Sequence, residues 1–267
     1  MSNLLITDLG LISYTDAYAL QQRLVAARKA NAIEDVLLFC EHPHVITLGR
    51  NANRTNLLAS EHVLRQKNVE LHSTNRGGDI TYHGPGQIVG YPILNLDKIK
   101  RDVGWYVRTL EEAMIRASAD FNVTAYRVPG KTGIWVQTGT SDLLEGTPSA
   151  VPIIPGVPTT AISAATEEKL AAIGVHISRW VTSHGFAYNV STDLRYFDLI
   201  VPCGIADRKA TSLEKLLQRS VSPSEVKPGL AHHLASLVNR DPRPASREEI
   251  ESHLNASTPA STNAPAK

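Results

Sequence analysis

The chain has little cysteine, no long apolar run, no excess of one charge and no internal repeat. Each absence removes a class of answer. Its two cysteines, Cys40 and Cys203, cannot build a disulfide framework or a thiol-only zinc site, and they fit a reducing cytosol. No stretch is apolar over the length that a bilayer span requires. The opening residues, Met1-Ser2-Asn3-Leu4-Leu5-Ile6-Thr7-Asp8, lack a basic start, a long apolar segment and a small-residue cleavage pattern, so no signal peptide is expected. A formal net charge of +1 gives no global reason to bind nucleic acid or a membrane. The GxxxxGK[ST] phosphate loop, the GxGxxG dinucleotide spacing and the HExxH metal spacing are all missing, and no catalytic metal or cofactor is expected.

What is present is ordinary for a folded soluble protein, with 42% hydrophobic and 20% charged residues over 267 positions, and a cytoplasmic location is expected. The apolar pattern predicts a short strand over Leu4 to Asp8, a helix from Tyr14 to Ala32 and a buried strand over Val36 to Cys40. Cys40 therefore reads as a core residue. Extended structure resumes at Val45 to Arg50, and Ser60 is placed to cap a helix running to Lys67. Further strands are expected at Ile88 to Leu94, Val123 to Arg127, Gly133 to Val136, Leu170 to Ile177 and Gly185 to Val190. Helices are expected at Asp102 to Asp120, Ser212 to Gln218, Ser222 to Asn239 and Ser246 to Asn255. Strands interspersed with helices and followed by a helical end predict one α+β domain over 1–255, a mixed sheet flanked by helices. Residues 137–168 are rich in Thr, Ser, Pro, Gly and Ala and read as a flexible insertion. Residues 256–267 read as a disordered tail.

Chemistry concentrates in a few places. Arg76-Gly77-Gly78-Asp79-Ile80-Thr81-Tyr82-His83-Gly84-Pro85-Gly86-Gln87 is a glycine-rich run with a cation near one end and an imidazole near the other. Its glycines permit close backbone approach to a ligand, although composition alone fits a structural hairpin equally well. Cys203 lies between Pro202 and Gly204, a setting that can expose a thiol at a strand end. Thiolate is the nucleophilic form, and an unperturbed thiol titrates near ~8.5, so a neighbouring cation or base is required. Lys169 stands where a polar stretch gives way to an apolar strand. A lone lysine there is ordinarily a solvated edge residue; beside a thiol it becomes a proton shuttle or thiolate-stabilising cation. His83 and His184 can orient a carbonyl or relay protons, or can be purely structural.

These motifs, in this order, resemble the lipoyl(octanoyl) transferase family. The match runs through His42-Pro43, Thr47 to Arg50, Arg76 to Tyr91, Gly133 to Val136, Lys169 to Gly174, Thr182 to Asn189, Phe197 to Ile205 and Thr211-Ser212. The resemblance implies the fold of biotin and lipoate protein ligases and a ping-pong acyl transfer. Cys203 would take an octanoyl group from octanoyl-acyl carrier protein. A lysine of a lipoyl domain, in 2-oxoacid dehydrogenase E2 subunits or glycine cleavage H protein, would then receive it. Lys169 would lower the thiol pKa and move protons. The acyl chain would lie against Arg76 to His83, Ala172-Ile173-Gly174 and Gly185-Phe186-Ala187, each buried methylene contributing roughly 0.8 kcal/mol. Both partners would be acidic, with Arg50, Arg54, Lys98, Lys100, Arg101, Arg208 and Lys209 as candidate docking charges. An ATP-dependent ligase of the same fold and a silent acyl- or carrier-binding module are the alternatives.

Overall fold

The computed structural model of the chain describes residues 2–138, 166–201 and 209–256. Alternation within the apolar runs decides its architecture. In strand β2 (Asp35–Glu41), Val36, Leu38 and Cys40 join one hydrophobic cluster while Leu37 and Phe39 join another. A strand buried on both faces must be central, with helices covering each side.

That is the arrangement found. The main sheet has eight strands in the order β11-β1-β2-β6-β10-β9-β8-β7. Besides β2, these are β1 (Asn3–Leu11), β6 (Gln87–Ile93), β7 (Tyr126–Val128), β8 (Lys131–Thr138), β9 (Thr166–Ser178), β10 (Val181–Asn189) and β11 (Asp241–Pro244). β1 runs parallel to β2 and β11; the remaining pairs are antiparallel, so the sheet is mixed as expected. One face is covered by α1 (Tyr14–Lys29), through Ala17, Leu20 and Leu24, and by α6 (Arg247–Ala256), through Ile250 and Leu254. The other is covered by α3 (Val103–Ala119), through Tyr106, Leu110 and Met114, by the short α4 (Leu213–Leu217), through Leu213, and by α5 (Pro223–Leu237), through Leu230 and Leu234. Cys40 is fully buried in the first of these cores, and desolvation pushes its thiol far above the usual range, so it is inert.

A smaller three-stranded sheet, β4-β3-β5, stands beside the main one. It comprises β3 (Val45–Leu48), β4 (Glu70–Ser73) and β5 (Ile80–His83). Its core holds Ile46, Leu48, Ile80 and Tyr82 together with Leu64 of α2 (Glu61–Gln66), which Ser60 caps as expected. The glycine-rich run thus contains a strand, β5.

The boundaries of the expected insertion shift. β8 continues to Thr138 and β9 begins at Thr166, so Gln137, Thr138 and Thr166 to Glu168 are paired strand residues. Residues 139–165 lie outside the described residues, as do 257–267 of the expected tail. Lys169 accordingly sits inside a strand rather than at its edge.

Candidate active site

The site begins with a row of small residues. β9 and β10 pair with Ala172 opposite Ala187 and Gly174 opposite Gly185, and Ala187 lies opposite Val89 of β6. Alternate residues of the same strands, Ile173, Phe186 and Tyr188, join the core under α3 and α5. Successive side chains of a strand point to opposite faces, so Ala172, Gly174, Gly185 and Ala187 share the other face. There the chain 76–83 roofs them. The Gly77 N–H donates to Val175 O at 2.9 Å, and a side chain at Gly174 would stand 2.9 Å from Gly77 O. Gly174 is therefore small so that the roof can close on the strand. Gly185 answers a second close approach, since its Cβ would meet Gly90 O at 2.1 Å.

A narrow cleft lies between floor and roof. Of the substrate-facing residues expected from the sequence, Arg76, Gly78, Asp79, Ile80, Thr81, His83, Ala172, Ile173, Gly174, Gly185, Phe186 and Ala187 line it. Ile173 and Phe186 direct their side chains into the opposite core. Gly77 and Tyr82 lie elsewhere: Gly77 docks the roof on β9, and the Tyr82 ring packs with Tyr196 and Phe197 with its hydroxyl 2.7 Å from His44 Nδ1. Tyr14, Val89, Tyr91 and His184 also line the cleft. Of these only His184 was singled out from sequence; the others gave no local signal, being core-like residues on separate elements.

Burial pulls both His83 and His184 down to about 3, assisted at His83 by His42 and then Arg76 and at His184 by Arg76, so both rings are neutral near pH 7. The Arg76 guanidinium donates to Thr47 O at 2.6 Å and to Thr47 Oγ1 at 3.0 Å. The Asp79 carboxylate accepts from the Asn53 N–H at 3.0 Å and from the Asn56 side chain. Both charges brace loops.

Lys169 is brought to this face by a fault in the sheet. Ile134 pairs with Ala171, but the next residue, Trp135, pairs with Lys169, leaving Leu170 as an extra residue on β9. Leu170 and Ala171 both turn into the α3/α5 core. This bulge resets the alternation and puts Lys169 on the cleft side with Ala172 and Gly174. Its Nζ lies 4.9 Å from the centre of the Trp135 ring. Gly133, at φ +111°, lets β8 follow the bulge, since any side chain there would meet Ala171 O at 2.4 Å.

Cys203 lies outside the described residues. Both of its flanks are described. The Val201 N–H donates to Asn56 O at 2.7 Å, placing the entry beside the loop that Asp79 braces. On the exit side, the Lys169 N–H donates to Lys209 O at 2.8 Å and the Thr211 N–H to Lys169 O at 2.9 Å. The chain leaving Cys203 is thus paired with the backbone of Lys169. Arg101 pairs with Asp97 and Lys100 with Asp102, Lys98 lines a separate pocket with Arg28 and Arg240, and Arg208 lies outside the described residues.

A narrow cleft with a floor of small residues, two neutral imidazoles and the braced Arg76 and Asp79 lies on the face of the sheet that also carries Lys169. Comparisons with known proteins identify the class. The lipoyl protein ligase A/B catalytic domain profile matches residues 13–235. An octanoyltransferase of Solibacter usitatus is 46% identical over 90% of this chain and 94% of its own length. That of Acidobacterium capsulatum is 50% identical over 78% of each chain. Among solved structures, a bipartite lipoate protein ligase from Thermoplasma acidophilum superposes with a TM-score of 0.66 at 15% identity, covering 96% of this chain and 92% of that one. The fold is therefore that of lipoate protein ligases, as the motifs implied. The chain belongs to the lipoyl protein ligase A/B catalytic domain family, and within it to the octanoyltransferases: it is an acyltransferase of lipoate biosynthesis.

Proposed function

We propose that the protein carries an octanoyl group from octanoyl-acyl carrier protein to a lysine of a lipoyl domain through a thioester on Cys203. The observation that carries this reading is the bulge at Leu170, which aligns Lys169 with the Ala172/Ala187 end of the cleft while its backbone holds the exit of the Cys203 segment. An acyl chain lying along that floor has its carbonyl at the lysine end.

The chemistry follows. The Cys203 thiolate attacks the thioester carbon, its C–S bond to the carrier breaks, and the departing thiolate takes a proton from the Lys169 ammonium. The amine of an acceptor lysine then attacks the acyl-enzyme. It loses a proton to the neutral Lys169, the amide forms, and the Cys203 thiolate leaves. Thioester exchange is nearly balanced and amide formation is downhill, so ATP is not needed. The small-residue floor and the two neutral imidazoles suit an aliphatic chain, and the Arg76 and Asp79 charges already have hydrogen-bond partners in Thr47, Asn53 and Asn56. Lipoyl domains of 2-oxoacid dehydrogenase E2 subunits and glycine cleavage H protein are the acceptors this reading names. It places the protein in the cytoplasm, with no cofactor.

The test is transfer without ATP. Purified protein, octanoyl-acyl carrier protein and an unmodified lipoyl domain are combined, and the mass of the lipoyl domain is followed. The reading expects octanoylation that Cys203→Ala abolishes. Modification that requires ATP and free octanoate would replace it with the ligase reading.

A further inference from the structure

A buried chain of hydrogen bonds crosses the reactive end of the cleft. Gln87 and Asn189 face each other across β6 and β10, one step beyond the Val89–Ala187 pair on the same face. Their row is the one next to the Leu170 bulge, since Tyr188 pairs with Ala171. Gln87 is 1% and Asn189 4% exposed. The Asn189 Nδ2 donates to Thr211 O at 3.0 Å, and Asn189 Oδ1 accepts from Gln87 Nε2 at 2.9 Å. Gln87 Nε2 also donates to Tyr82 O at 3.2 Å, and Gln87 Oε1 lies 2.7 Å from His83 Nδ1.

The direction of every bond in this chain is dictated. A carbonyl can only accept, so Thr211 O fixes which end of the Asn189 amide faces it. That leaves Asn189 Oδ1 toward Gln87, and the same logic at Tyr82 O orients the Gln87 amide. Gln87 Oε1 must then accept, so His83 Nδ1 carries the ring proton and Nε2 carries the lone pair. Thr211 is also the residue whose N–H donates to Lys169 O. The chain therefore links the His83 tautomer to the strand bridge that holds Lys169.

We infer that Gln87 and Asn189 are positioning residues that hold His83 as its Nδ1–H tautomer, so that the ring presents an acceptor at the reactive end of the cleft. A bare Nε2 cannot stabilise an oxyanion. It can accept an N–H, and the donor arriving at this end of the cleft is the attacking amine of the acceptor lysine. The relay then serves the second half-reaction more than the first. This rests on the acyl transfer proposed above.

The experiment uses full-length protein with 15N-labelled histidine, in wild type and in the near-isosteric Gln87→Met and Asn189→Leu variants, each checked for folding by thermal melting. Imidazole 15N shifts report the His83 tautomer, and rapid-quench kinetics separate loading of Cys203 from transfer to a lipoyl domain. The expected result is an Nδ1–H ring in wild type that is lost in Gln87→Met, where no acceptor faces Nδ1, and less strongly held in Asn189→Leu, where Tyr82 O alone orients the Gln87 amide. Transfer from the acyl-enzyme should slow roughly 10- to 100-fold, the scale of small misplacements at a reacting centre, with little change in KM for octanoyl-acyl carrier protein. An Nε2–H ring in wild type, or folded variants that keep both the tautomer and the transfer rate, would overturn the inference. Absence of any acyl-enzyme in wild type would instead sink the function proposed above, while the tautomer measurement would still judge the relay.

Discussion

Strands β9 and β10 present two unlike faces made from alternating residues of the same two segments. Toward α3 and α5 they offer Leu170, Ala171, Ile173, Phe186 and Tyr188, all packed into the core. Toward the roof they offer Ala172, Gly174, Gly185 and Ala187, and a cleft remains. One face is filled to hold the sheet together; the other is left short of side chains so that something else can fill it. The difference teaches that the floor's small residues are not a weakness in packing. Two of them answer backbone approaches, at Gly77 and Gly90, and the alanines leave the space.

The comparison can be broken most forcefully at its junction. Lys169→Met should cut octanoyl transfer by roughly 100-fold or more, the usual range for a lost acid–base group, while circular dichroism and melting show the fold retained. Near-normal transfer would detach the bulge from the chemistry. On the filled face, Phe186→Ala should lower unfolding stability by about 3–5 kcal/mol, as truncation of a buried phenylalanine does. Denaturant titration measures this, and a cost within error would mean that the ring does not carry the core. Stability should also fall in acid. The folded-state values of His83 and His184 lie near 3, below the unfolded value of ~6.5, so the unfolded chain takes up protons first as pH falls. The stability these rings preserve is complete above about 6.5 and is lost as pH drops toward 3, by about 1.4 kcal/mol per pH unit for each ring. His184→Asn, which tolerates the left-handed φ of 54° at this site, should flatten the fall in Tm between pH 7 and 5. On the open face, Ala172→Val should barely change stability. It should raise KM for octanoyl-acyl carrier protein about tenfold, the equivalent of roughly two displaced methylenes.

Much of this was legible in the sequence. The runs of β2 and β6, the helix α3 and the Ser60 cap follow from periodicity and capping chemistry, and they place the sheet between helices. The glycine and alanine positions of the cleft were legible as a set through their resemblance to a family. The alternation that separates Lys169 and Ile173 from their neighbours was not, because the bulge at Leu170 shifts the phase and nothing in Lys169-Leu170-Ala171-Ala172 marks where. β11 was missed because Asp241-Pro242-Arg243-Pro244 reads as a breaker. Proline is tolerated there because the strand lies at the sheet edge. β4, four residues with Leu71 as its apolar member, has no pattern of its own and exists by pairing with β3. Gln87 and Asn189 carry no local signal, since their meaning arises from a contact between residues 102 positions apart.

The account turns on one covalent event at the lysine end of the open face. The direct measurement is intact mass and peptide mapping of the protein incubated with octanoyl-acyl carrier protein, without ATP and without acceptor. The account predicts an octanoyl adduct, labile to hydroxylamine, on the peptide containing Cys203 and absent from Cys203→Ser. A competent donor that leaves the protein unmodified would contradict it.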